Sequence, residues 1–142
     1  MPPEAGDFEL LDHPADIGFR VRAATLPALF AACARALVAI ILDPVRIEPR
    51  ETVSIPGTGS DVESLLVNWL NEVLYFTDSR RLALASFDVH SLTDAAVECT
   101  ARGEHRDPGR HESRITVKGV TYHQLKVQQT PDGWVAEVFV DI

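Results

Sequence analysis

The chain has 142 residues, 46% of them hydrophobic and 24% charged, which suits one domain spanning residues 1–142 with its own core and argues against disorder or two full-sized domains. Its 13 lysines and arginines stand against 21 aspartates and glutamates, for a net charge of -8. Such a chain is repelled by bare phosphate backbone, so tight direct nucleic-acid binding is disfavoured, and basic proteins and divalent cations are better partners.

Residues 1–6 (MPPEAG) read as a frayed end, and FELLD (8–12) and IGFRVRA (17–23) as short strands. In the second, Ile17, Phe19 and Val21 alternate with Gly18, Arg20 and Arg22, the period-two pattern of a strand with one wet face. A helix follows. Thr25 is its predicted cap, and Pro27 is tolerated in the first turn, where its missing N–H has no helical partner. Leu26, Leu29, Phe30, Cys33, Leu37, Ile40 and Ile41 recur at spacings of three and four and form one apolar stripe that must cover a sheet or another helix. Pro44 disfavours helical geometry at Asp43 and ends the segment.

RETVSIPG (50–57) reads as a strand with Val53 and Ile55 inward, and GTGSD (57–61) as a turn. Ser60 and Glu63 match the S-x-x-E capping box ahead of a second helix, whose buried face is Leu65, Leu66, Trp69, Leu70, Val73 and Leu74, with Tyr75 and Phe76 extending it. From about residue 83 onward SFDVHSL, AAVECTAR, SRITVKGV, HQLKVQQT and GWVAEVFVDI read as strands. TPDGW (130–134) is a turn in which Pro131 presets one dihedral and Gly133 supplies a positive φ, so the flanking strands form a hairpin. The predicted fold class is α+β, with two main helices packed on one face of a mostly antiparallel sheet.

Cys33 and Cys99 are too few for a disulfide framework, and both read as small buried hydrophobes. Neither a signal peptide nor a spanning helix is expected, which leaves the cytoplasm as the default compartment and no membrane partner. PGTGSD carries G-x-G before a helix but lacks the following G-K-[ST], and Asp61 would repel a phosphate, so it reads as a capped turn. The segment 101–114 (ARGEHRDPGRHESR) reads as a solvated hairpin loop, with docking on RNA or an acidic protein surface as the functional alternative; His105 and His111 do not have zinc-ligand spacing. His13, His90 and His123 form no catalytic constellation by spacing.

The two ends of the chain carry more. Asp12 and Asp16 flank Pro14 at a tight strand connection, and Asp141 closes an apolar strand one residue before Ile142. If the last strand runs beside the first two, Asp16, Asp141 and the terminal carboxylate converge. Such a cluster is unfavourable unless a cation sits in it, and hard oxygen ligands favour Ca²⁺ or Mg²⁺ over zinc. Spacing alone favours the simpler reading, that terminal acids are merely solvated.

Taken in order, FELLDHPADIGFRV, ATLPALFAACARALVAII, ESLLVNWLNEVLYF, VKGVTYHQLKV and GWVAEVFVDI resemble the archease family from Phe8 to Ile142. The most specific elements are the H-[TP]-A-D-[IV]-G start, with Pro14 where Thr is common, paired with the D-[IV] end. The resemblance implies an α+β fold related to the strand-helix-strand-strand (SHS2) module. It also implies a cytosolic protein cofactor, not an enzyme, that promotes guanylylation and multiple turnover of the RtcB-class RNA ligase in tRNA splicing or RNA repair, meeting RNA only indirectly. It implies a divalent metal, Ca²⁺ first with Mg²⁺ or Mn²⁺ as alternatives, held by Asp16, Asp141 and Ile142 through backbone or terminal oxygens. Lys118, in VKGVTYH, and Asp12 and His13, in the DHPAD stretch, are the positions it suggests as partner contacts. Two rivals remain: a stand-alone metal-dependent hydrolase or phosphotransferase, for which His13 and His123 are the candidate bases, and a general chaperone or adaptor, which would need a large exposed apolar patch.

Overall fold

A computed structural model describes residues 8–12 and 16–142, with Asp12 described by its backbone alone. The expectations placed on residues 1–6, His13 and Pro14 lie outside the described residues.

Thr25 caps the first helix as predicted: its hydroxyl accepts the Ala28 N–H at 3.3 Å, and α1 runs Leu26–Ile41 with Pro27 in its first turn. The predicted single stripe is a correction, because Ala31, Ala32, Ala34, Ala36 and Ala39 are buried along with the larger residues. A helix apolar all round belongs inside a core, and α1 lies against strands on two sides. Helix α2 runs Val62–Asp78. Its cap is Asp61, which accepts the Ser64 N–H at 2.7 Å while Ser64 Oγ accepts the Asp61 N–H at 3.1 Å. The capping box is therefore shifted one residue from the predicted Ser60–Glu63 pair. The predicted buried face is found, with Phe76 inside and Tyr75 half-exposed.

The strands are β1 (Phe8–Asp12), β2 (Asp16–Ala23), β3 (Glu51–Ser54), β4 (Gly57–Thr58), β5 (Leu82–Leu92), β6 (Ala96–His105), β7 (Gly119–Val120), β8 (Lys126–Thr130) and β9 (Gly133–Asp141). They form two antiparallel sheets where one was expected. One is ordered β1-β2-β9-β7 with β8 also on β9; the other is β3-β6-β4 with β5 also on β6. The helices join them: α1 touches β2 and β9 of the first and β5 of the second, and α2 touches β7 and β8 of the first and β4, β5 and β6 of the second. At the centre the fully buried Trp69 ring lies 5.7 Å from Phe30 and 6.3 Å from Phe87, and its indole N–H donates to the Ile55 carbonyl at 2.9 Å. The one polar atom of that ring is thus satisfied where burial would otherwise penalise it.

The β8–β9 hairpin turns through Pro131 and Asp132, with Thr130 opposite Gly133. Gly133 has φ of 145°, and a Cβ there would lie 2.3 Å from the Ala23 carbonyl, so only glycine serves. Two further readings are corrected. Of SRITVKGV, only Gly119–Val120 joins a sheet. The segment 101–114 is not a solvated loop: its first part belongs to β6, and Glu104 and His111 are buried. Both cysteines are free and buried, as read from sequence, and burial above all pushes the Cys99 thiol up to about 12.

Candidate functional site

Alternation along β2 decides which side chains meet. Phe19 and Val21 enter the core, so Asp16, Gly18, Arg20 and Arg22 face outward. Strand β9 pairs with β2 antiparallel over the whole length of β2, and its core residues are Ala136, Val138 and Val140. The outward rows therefore read Asp16 opposite Asp141, Gly18 opposite Phe139, and Arg20 opposite Glu137. Directly opposed residues in an antiparallel pair have Cβ atoms about 4.5–5.5 Å apart. The convergence expected of Asp16 and Asp141 is found in this register, with the two carboxylates on one face at the end of the sheet.

The neighbouring row shows how the fold otherwise treats charge. Arg20 donates to Glu137 at 2.8 Å and to Glu9 at 2.9 Å, and the Lys126 ammonium lies 3.9 Å from Glu137, so acid and base alternate over four strands. The end row sets acid against acid, an arrangement that is unfavourable in itself.

Several contacts fix this corner. Gly119 of β7 lies opposite Asp141 on the other edge of β9, and the Lys118 N–H donates to the Asp141 carbonyl at 2.8 Å. The Lys118 side chain is exposed, beside buried Val117. Asn71, on α2, accepts the Val120 N–H at 2.9 Å and donates to the Val120 carbonyl at 3.1 Å, so one amide side chain stands in for a strand partner and ties β7 to the helix. The Phe139 ring covers Gly18, where a Cβ would fall 2.5 Å from it, and the His123 ring meets Phe139 edge-on at 6.0 Å. Ile142, next to Asp141, is 41% exposed.

The donor set is all oxygen. Oδ1 of Asp16 is screened from solvent, while Asp141 is exposed, so of the two carboxylates on this face one is sheltered and the other open to water. Two opposed carboxylates with backbone oxygens from Ile142 fit a hard divalent cation such as calcium or magnesium better than zinc. Among the described residues no group of three His, Cys, Asp or Glu side chains is placed to hold a metal. Asp12 contributes only a described backbone, opposite Ile17, and His13 lies outside the described residues.

The other histidines sit elsewhere. His90 pairs with Thr100 at 3.3 Å, His105 with Glu51 at 3.2 Å and His111 with Glu104 at 3.0 Å. Sequence reasoning missed Asn71 and the Phe139–Gly18 contact. An asparagine between Leu70 and Glu72 carries no motif, and only the position of β7 beside α2 gives it a role.

The sequence profile of the archease protein family matches residues 8–142. Protein archease of Methanosarcina acetivorans is 34% identical over the whole of both chains, and that of Methanopyrus kandleri is 38% identical over 95% of this chain and 99% of its own. The solution structure of Methanobacterium thermoautotrophicum protein 1598 superposes with a TM-score of 0.80 at 29% identity, covering 96% of this chain and 99% of that one.

Proposed function

This chain belongs to the archease family, and from that premise we propose that it is a cytoplasmic protein cofactor of an RtcB-class RNA ligase. It promotes the ligase's guanylylation and repeated turnover in tRNA splicing or RNA repair, and does not itself make or break the RNA bond. The observation that carries this reading is the in-register pairing of Asp16 with Asp141 on one outward face. A net charge of -8 supports it, because an acidic helper is attracted to a ligase's basic nucleotide- and RNA-binding cleft without competing for the RNA. No helix among the described residues is long and apolar enough to cross a membrane.

Asp16, Asp141 and oxygens of Ile142 would hold the divalent ion, calcium first, which when bound supplies positive charge that orients and stabilises phosphate oxygens. The chain's own residues do the rest. The long β2–β9 ladder fixes the Asp16 backbone, β7 and the Lys118 N–H fix that of Asp141, and Asn71 fixes β7. The exposed Lys118 side chain, one residue from the corner, is placed to meet a phosphate or an acidic group of the partner.

The test is a ligase guanylylation assay with and without this protein in calcium, magnesium and manganese. The wild-type chain should stimulate. Asp16→Ala and Asp141→Ala should lower stimulation by an order of magnitude or more while keeping a native circular-dichroism spectrum. Full stimulation by the double variant sinks the reading, and phosphoester turnover by the protein alone would replace it with the hydrolase.

A further inference from the structure

The carboxyl-terminal ends of α1 and α2 meet under the stretch from Ser113 to Val117, and neither helix has a basic residue in its last turn. A helix ends in unpaired carbonyls with a partial negative charge. Here the cations come from elsewhere in the chain. Arg106, just after β6, donates to the Thr77 carbonyl and to Ser113 Oγ, both at 3.1 Å. Arg114 donates to the Ala39 carbonyl at 3.3 Å and lies 3.7 Å from Asp43. Arg81 is tied in by its carbonyl, which accepts the Arg106 N–H at 2.8 Å. The three arginines line one cavity of about 140 Å³ together with Asp78, Ser113 and Thr116.

Two features exceed what capping the helices requires. Three arginines face two carboxylates, Asp78 in the wall and Asp43 beside Arg114, and the Arg106 guanidinium is pushed below its ordinary value by burial first and by the charge of Arg81 second, with Asp78 opposing. Arg81 has φ of 56°, in the left-handed region where glycine is the easy residue, so the chain accepts backbone strain to put an arginine at this position.

We propose that this cavity binds a phosphate-class oxyanion, with Arg81, Arg106 and Arg114 supplying charge and Ser113 and Thr116 supplying hydroxyl donors. Guanidinium forks match tetrahedral oxyanions, and Ser113, which accepts from Arg106, still has its own proton to donate. A volume of about 140 Å³ has room for a phosphate group, with anything attached to it left at the open side. The chain's overall negative charge opposes a dianion only weakly, since it is screened beyond about 8 Å at physiological ionic strength whereas the guanidiniums touch the ligand.

The site does not depend on the acidic corner, and a chelator in every sample keeps the two separate. The experiment is thermal unfolding of the full chain in inorganic phosphate against sodium chloride at matched ionic strength. The melting temperature should rise saturably with phosphate. Arg81→Gly removes one guanidinium and suits the left-handed backbone, so it should melt no lower than wild type without phosphate. Its apparent phosphate affinity should fall at least tenfold. An RNA dinucleotide with a 5′-phosphate or a 5′-hydroxyl separates the sources: tighter binding of the phosphorylated form than of inorganic phosphate assigns the site to an RNA end, and equal binding assigns it to the free ion. No rise above the chloride control, or equal rises in wild type and Arg81→Gly, overturns the proposal and leaves the arginines as caps of the two helices.

Discussion

Glu104 is a carboxylate at 5% exposure, and its hydrogen-bond partners favour the charged form. Its oxygens accept the Glu48 N–H at 2.7 Å, both arms of Arg110 at 2.9 and 2.8 Å, and the His111 ring at 3.0 Å. His111 Nδ1 accepts the Asp107 N–H at 2.9 Å, so the ring proton sits on Nε2 and points at Glu104. The Glu48 N–H first, then Arg110 and His111, hold the Glu104 carboxyl at about 2, below its ordinary 4.5, against the opposing effect of burial. A depressed acid contributes stability that is complete above its unfolded value and disappears as pH falls through the folded one. Glu104→Gln should therefore melt below wild type at pH 7, and the gap should narrow between about pH 4.5 and 2. Melts followed by circular dichroism across that range check it, and a gap that is constant with pH would mean the charge of Glu104 contributes nothing. This cluster was not legible in the sequence. Arg102 to Arg114 is nearly balanced in charge, and no periodicity distinguishes a carboxylate that will be enclosed from one that will be solvated. Asp16 and Asp141 were legible because strand alternation and their places at strand ends predict a shared face once the two strands are neighbours.

At the scale of elements, the two helices were read correctly in type and extent because their apolar spacing and caps are local. The cap of α2 shows where local reading stops. Ser60-x-x-Glu63 matches the sequence pattern, whereas the box that forms, Asp61-x-x-Ser64, has an acid as cap and a hydroxyl at the third position. The Gly59 N–H donates to the Ala95 carbonyl at 2.9 Å, which ties the incoming chain to the second sheet and starts the helix one residue later. Asp61→Ala should then lower the denaturation midpoint more than Ser60→Ala, and Thr25→Ala at the head of α1 should cost about 1 kcal/mol in a urea titration. Equal effects at 60 and 61 would restore the predicted box. The division into two sheets was illegible for a different reason. Alternation reports which face of a strand is wet and says nothing about its neighbour. Ile115 and Val117 alternate like a strand, yet the N–H groups of Arg114 and Ile115 go to the Ile41 and Ile40 carbonyls at the end of α1. Extended backbone there serves a helix end and joins no ladder.

At the scale of the whole molecule, the stretch from Ser113 to Val117 lines the arginine-rich cavity and the next residue, Lys118, bonds to the acidic corner, so regions of opposite sign adjoin along one extended segment. The corner makes a thermodynamic demand that can be measured without the ligase. Opposed carboxylates at 16 and 141 repel, and relieving them by Asp141→Asn should stabilise the metal-free chain by about 0.5 kcal/mol. A cation that binds only the folded state reverses the order. At a free concentration 100 times its dissociation constant it adds about 2.7 kcal/mol to wild type, while the variant, short of one charged ligand, gains far less. Urea titrations in chelator and in calcium should thus cross: the variant more stable in the first, wild type in the second. Parallel shifts of both proteins would place the calcium elsewhere. A variant less stable than wild type in chelator would mean that protein groups already neutralise the pair, and the demand for a cation would lapse.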